Sequence, residues 1–139
     1  MAMASDYCRL IDPTDPAFLA PESMLTAIRT YLGEPELPLG DVLASVYRSL
    51  AATYDKTVKE IESISGKEIH AIHIVGGGSK DKYLNKLTKE YTGKRVTVGP
   101  TEGTAIGNLI SQLMYVDKAL YLSEAREIVV NTFSITEVE

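Results

Sequence analysis

Residues 72–87, IHIVGGGSKDKYLNKL, run a short apolar stretch directly into three consecutive glycines, Gly76, Gly77 and Gly78, and then into a polar segment with helical spacing. Glycine loses more conformational freedom on folding than any other residue, so three together call for a close approach of something to the backbone. Upstream, residues 69–75 (IHAIHIV) carry apolar side chains on both faces, the pattern of a buried parallel strand. Downstream, residues 79–91 read as a helix with Tyr83, Leu84 and Leu87 inward. Strand, glycine turn and helix in that order aim backbone N–H groups at an anion, which the helix dipole also favours. The plainer reading of the same residues is a tight strand-to-helix turn without a ligand.

Two common nucleotide loops fail here. A GxxxxGK[ST] loop counted from Gly76 meets Asp81 at its sixth position, and a GxGxxG fingerprint started at Gly76 meets the same aspartate. The remaining form is an apolar strand, a glycine pair and a small hydroxyl residue, Ser79, leading into a helix. That form resembles the adenosine-side turn of actin-like ATPases.

Outward from this turn, the pattern predicts an α/β arrangement of helix, helix, strand, helix, strand, helix, helix. Residues 1–23 read as an extended lead-in, because Pro13, Pro16 and Pro21 break helix and sheet alike. Its first five residues, MAMAS, are either native or an appended leader. A short helix is expected over 22–32. A long one is expected from an Asp41 N-cap to Gly66, with Leu43, Val46, Leu50, Tyr54, Val58 and Ile61 on one stripe. A second strand falls at 95–99 (RVTVG), and helices follow at 101–120, capped by Thr101, and at 123–130. Two strands are few for a self-sufficient sheet, so the chain reads as part of something larger.

The segment VGPTEGTAIGNLISQ, 98–112, is the second motif. Gly103 and Gly107, four apart, leave a smooth helix face for a neighbouring backbone or ligand; close packing is the plainer account of Gly107. Glu102 reads chiefly as a first-turn acid favoured by the helix dipole. His70 and His73, three apart on a strand, point to opposite faces and share no metal; they read as core or interface residues. Lys80, Lys82, Lys86 and Lys89 read as a solvated helix face, with a phosphate contact by Lys80 or Lys82 the sharper alternative.

Composition bounds the function. A chain of 139 residues can bury the core of one domain, and its formal net charge of −5 argues against nucleic-acid binding. No apolar run reaches the length of a membrane span, and no secretory signal is visible. Cys8, the only cysteine, excludes an internal disulfide and reads as a partly buried thiol in a reducing, cytoplasmic compartment.

Taken together, IHIVGGGSKDKYLNKLTKEYTGKRVTVGPTEGTAIGN resembles the C-terminal lobe of the FGGY carbohydrate kinases, most of all the rhamnulokinases among them. LIDPTDPAFLAPESM (10–24) and SLAATY (49–54) extend the resemblance over nearly the whole chain. It implies an actin-like ATPase (ribonuclease H-like) lobe, helix-rich with a small sheet, over residues 24–139. It implies magnesium-dependent transfer of the γ-phosphoryl group of ATP to the 1-hydroxyl of L-rhamnulose. Gly76, Gly77, Gly78, Ser79 and Asp81 would then lie against ATP or ADP. The family often has asparagine at the position of Asp81, and an ionised aspartate there donates no hydrogen bond to adenine. The phosphate loop, the catalytic base and most sugar contacts of the family belong to a preceding lobe. Asp12, Asp15 and Asp41 stand in loop and cap contexts instead, so the chain alone is expected to be an inactive fragment prone to self-association. Other ketose kinases of the family, acting on fuculose or xylulose, and a non-catalytic nucleotide-binding module are the rival readings.

Overall fold

A computed structural model describes residues 1–118 and 120–139, in two compact units: residues 1–68 with 90–93, and residues 69–89 with 94–139.

The first unit is built on two helices. Ser23 accepts from the Thr26 N–H at 3.3 Å and starts α1, Met24–Leu32; Gly33, at φ 71°, ends it in the left-handed conformation. The long helix α2, Leu39–Ser65, begins two residues before the expected Asp41 cap, behind Pro38, and ends at Gly66 with φ 65°. Asp41 therefore sits in the first turn, where its carboxylate suits the helix dipole and accepts the Ser5 hydroxyl at 2.5 Å.

The lead-in proves to be part of the core. Ile11 is buried with Ile28, Leu32, Leu37 and Val42, and Tyr7 and Phe18 pack against the same cluster. Prolines keep this segment out of helix and sheet, so side chains satisfy its backbone instead. Ser45 donates to the Arg9 carbonyl at 2.7 Å, and Ser49 accepts from the Ile11 N–H at 2.9 Å. The Arg48 guanidinium donates to the carbonyls of Ser5 and Tyr7. Asp12 and Asp15 close local turns on Thr14 and Ala17, and the Thr14 hydrogen bonds hold the Asp12 carboxyl below its usual pKa.

These contacts rotate the buried face of α2 away from the expected stripe. Val42, Ala44, Ser45, Ser49, Ala51 and Val58 are buried, whereas Tyr54 and Ile61 are exposed and Leu43, Val46 and Leu50 only half-buried. Cys8 is exposed rather than partly buried.

The second unit is a three-stranded mixed sheet with helices. β1, Ala71–Ile74, pairs in parallel with β2, Arg95–Val98, with Ile72 opposite Val96. Between them runs α3, Lys82–Thr92, which starts three residues later than expected and ends before Gly93 at φ 63°. After β2 come α4, Gly103–Val116, and α5, Leu122–Thr132. Thr101 does not cap α4: the N-cap is Glu102, which makes no side-chain cap bond. At α5, Glu124 accepts the Tyr121 N–H at 2.8 Å.

A third strand, absent from the sequence expectation, follows at Thr136–Glu137: β3 pairs antiparallel with β2, placing β2 at the centre. The tail is fastened further by Val138 N–H donating to Val96 at 2.9 Å and by Lys89 Nζ donating to the Val138 carbonyl at 2.6 Å. Lys89 is thus half-buried, unlike the exposed Lys80, Lys82 and Lys86. Both histidines are exposed, not core. The His73 Nδ1 lies 2.6 Å from the hydroxyl of Thr97, its partner across the strands.

Candidate functional site

The glycine turn leaves β1 at its carboxyl end, the edge of a parallel sheet at which α/β folds commonly bind ligands. Gly76 adopts φ 80°, ψ −161°, a conformation essentially reserved for glycine, and its N–H donates to the Pro100 carbonyl at 2.9 Å. Gly77–Lys80 then form a single 3-10 turn rather than the first turn of an α-helix. Ser79 closes this turn on itself, its hydroxyl donating to the Gly76 carbonyl at 2.7 Å.

Asp81 is the N-cap of α3. Its carboxylate accepts the Leu84 N–H at 3.0 Å, and its carbonyl accepts the Asn85 N–H at 3.0 Å. This changes the electrostatic expectation. A carboxylate already occupies the positive end of α3, so an approaching anion would meet the glycine turn and not a bare helix terminus. The aspartate that breaks both common nucleotide loops is therefore accounted for by the helix it starts.

Asn85 escaped notice in the sequence, yet it holds the turn from behind: it is buried, and its amide donates to the Ser79 carbonyl at 3.0 Å. Its position, four after an aspartate cap and on the inward side of an amphipathic helix, was the available signal. A buried asparagine there needs partners, and the Ser79 carbonyl of the turn supplies one.

The second motif braces the first. Gly99 N–H donates to the Ile74 carbonyl at 2.8 Å. A Cβ on Gly99 would stand 3.1 Å from Val75 Cγ1, and one on Gly103 would meet Val75 Cβ at 3.4 Å and Gly76 N at 3.7 Å. Gly103 thus lets α4 approach the β1 exit closely, as the smooth helix face implied. Gly107 is not explained by packing, since its Cβ would meet nothing within 4 Å.

Within the triplet the three glycines differ in kind. Gly76 is required by its own dihedral angles. Gly77 and Gly78 have ordinary negative φ, and a Cβ would meet nothing within 4 Å at Gly77 and only Ile74 Cγ2, at 4.0 Å, at Gly78. Both are exposed. Nothing in the chain itself demands glycine there, and the bare backbone forms a surface on which a flat or phosphorylated ligand can lie at contact distance. Among the described residues, no group of three histidine, cysteine or carboxylate side chains is gathered to hold a metal ion.

Along the flank of the turn, Ser79, Lys80, Lys82 and Lys86 line a cavity of about 610 Å³ whose opposite wall is Val98 and the tail residues 136–139. It brings positive charge beside the glycines, together with Glu137 and Glu139.

Comparison with known proteins follows the same line. The model of the FGGY family of carbohydrate kinases, C-terminal domain, matches residues 7–116. The chain is 37% identical to the rhamnulokinase of Oceanobacillus iheyensis over 97% of its own length and 30% of the relative's. It is 39% identical to the rhamnulokinase of Halalkalibacterium halodurans, over 90% of the chain and 28% of the relative. The rhamnulokinase of Bacillus subtilis is 37% identical over 93% of the chain and 27% of its own length. The chain spans less than a third of the length of these curated relatives. The glycine turn, the bracing GPTEGTAIGN segment and the serine-fastened lead-in all fall inside the matched region, and the chain belongs to the FGGY family of carbohydrate kinases as its C-terminal domain.

Proposed function

We propose that this domain is the nucleotide-side lobe of an ATP-dependent sugar kinase, an actin-like lobe of the ribonuclease H type. In the complete enzyme it would serve transfer of the γ-phosphoryl group of ATP to the 1-hydroxyl of L-rhamnulose. The observation that carries this reading is the cradle at Gly77 and Gly78: exposed, unstrained backbone where a Cβ would meet little or nothing of the chain. Gly76, Gly77, Gly78 and Ser79 would support the adenosine end and α-phosphate of ATP or ADP, with Asn85 and Pro100 holding the turn in shape. Asp81 contributes by starting α3, not by donating to adenine.

Phosphoryl transfer requires a positioned nucleotide, a metal ion and a group that takes the hydroxyl proton. The residues of this chain fit the first requirement. They do not fit the magnesium ion, for which the described residues gather no ligand set; Mg²⁺ belongs with the nucleotide phosphates and the preceding lobe. The base and the sugar contacts are assigned there too, so the 139-residue chain by itself is inactive. A soluble cytoplasmic enzyme, with no nucleic-acid or membrane partner, fits the acidic composition.

Amide-shift titration of the chain with ADP tests the site. Weak, millimolar binding should perturb residues 76–81, and the absence of any perturbation there removes the reading. In the complete kinase, Gly77→Val should leave the fold intact and weaken nucleotide binding by about tenfold or more, roughly 1.4 kcal/mol. A panel of ketoses assayed on the same enzyme decides among rhamnulose, fuculose and xylulose.

A further inference from the structure

The two groups that hold the glycine turn in shape stand on different elements. Asn85, which donates to the Ser79 carbonyl, belongs to α3. Pro100, whose carbonyl accepts the Gly76 N–H, follows the end of β2 by two residues. The geometry of the turn therefore depends on how α3 and β2 are spaced.

The tail is bonded to both elements. On β2 it pairs through Thr97 with Glu137 and Val98 with Thr136, and the Val138 N–H donates to the Val96 carbonyl at 2.9 Å. On α3 the Lys89 ammonium donates to the Val138 carbonyl at 2.6 Å, across 49 positions of sequence. A lysine in the last turn of a helix ordinarily serves that helix's own final carbonyls. Lys89 stands in that turn and reaches the tail instead, and its half-buried charge needs the partner it finds there. The same tail residues form the wall of the cavity that faces Ser79 and Lys80. They lie outside residues 7–116, the region that matches the family model. A strand of two residues opens at little cost, so docking of the tail is an equilibrium that a ligand can bias.

We propose that residues 136–138 are a strap that sets the spacing of α3 and β2, with Lys89 as a positioning residue for nucleotide binding. Lys89 acts through Asn85 and Pro100 and does not touch the nucleotide. This inference rests on the reading of the glycine turn as a nucleotide site. With the strap docked, both braces hold the turn in the shape that presents the backbone of Gly77 and Gly78. With it released, α3 and β2 lose a tie, the turn spends less time in that shape, and the apparent affinity falls by the same fraction.

The test uses the complete kinase carrying Lys89→Met, which keeps the stem and removes the donor, or Lys89→Arg, which restores a donor. Lys89→Met should raise KM for ATP about threefold or more, with KM for the ketose and kcat at saturating ATP unchanged. Lys89→Arg should bring KM for ATP back to within about twofold of the parent. A purely structural role would lower kcat by reducing the folded fraction and leave both KM values alone, and that result overturns the proposal. An equal rise in both KM values overturns it as well.

Hydrogen exchange of the unmodified kinase gives a second measurement that needs no variant to fold. Coupling is reciprocal, so ADP should slow exchange of the Val138 amide about threefold or more. ADP that binds without slowing this amide sinks the strap alone. Absence of ADP binding in the same preparation sinks the nucleotide reading and the strap's role with it.

Discussion

Gly76 and Gly77 are adjacent and identical, yet only Gly76 is required by its own backbone conformation, and substitution should separate them. At Gly76 the φ of 80° with ψ −161° lies where L-residues carry a strain of order 1–3 kcal/mol. Gly76→Ala should therefore lower the denaturation midpoint by that amount in free energy, whether or not nucleotide is present. Urea unfolding of the variant reads it directly, and an unchanged midpoint would mean that the turn relaxes into another conformation. A Cβ at Gly77 would meet nothing within 4 Å beyond its chain neighbours, so the effect of Gly77→Val should appear in nucleotide affinity and not in stability. Asp81 supplies a third contrast. Asp81→Ala removes the acceptor for the Leu84 N–H and should cost about 1 kcal/mol, whereas Asp81→Asn keeps an N-cap and should cost little. If thermal melts showed the alanine and asparagine variants to be equally destabilised, the cap would not be the reason for the residue.

At the scale of elements, the serines of α2 do what a strand partner does elsewhere. Ser49 is 1% exposed, accepts from Ile11 N–H, and donates to the Ser45 carbonyl one turn earlier at 2.6 Å. Ser49→Ala leaves a buried N–H without its partner and should destabilise the first unit by roughly 1–3 kcal/mol. The loss should concentrate in residues 7–18, visible as faster hydrogen exchange there. Slow exchange throughout that segment would show that burial of Ile11 and Phe18 suffices alone. The same serines explain which part of the fold was legible in advance. Helices that end at Gly33, Gly66 and Gly93 stop where capping chemistry puts them, since caps act locally, whereas the N-caps expected at Asp41 and Thr101 lie elsewhere. The buried face of α2 was misjudged because hydrophobic spacing ignores serine. A polar residue becomes interior when a segment distant in sequence brings backbone groups to it, and periodicity carries no record of that. β3 was missed for a like reason, as two residues paired through Val98 and Thr136 have no period to read. In the site, the glycines and Ser79 were visible as a pattern, while Asn85 and the Pro100 carbonyl become partners of the turn only after the fold brings them there.

For the molecule as a whole, the stripe of Leu109, Leu113 and Val116 on α4, 58%, 44% and 81% exposed, and the position of β1 at the sheet edge among the described strands predict how the isolated chain behaves. Exposed strand edges and contiguous apolar surface favour self-association unless charge opposes it. The formal net charge of −5 does oppose it, over a distance set by screening that falls from about 30 Å at 0.01 M salt to about 8 Å at physiological ionic strength. Association of the 139-residue chain should accordingly strengthen as salt rises, the reverse of what an interface built on ion pairs would do. Light scattering at fixed protein concentration should give a mass near 15.2 kDa in dilute buffer and a larger one at physiological salt. Leu109→Glu should restore the smaller mass by placing a charge on the stripe, while Ser111→Glu on the opposite face should not. A single mass across all salt concentrations would mean that the stripe and the strand edge are too small to drive contact between copies. A mass that falls with added salt would point to charged groups rather than to the apolar face of α4.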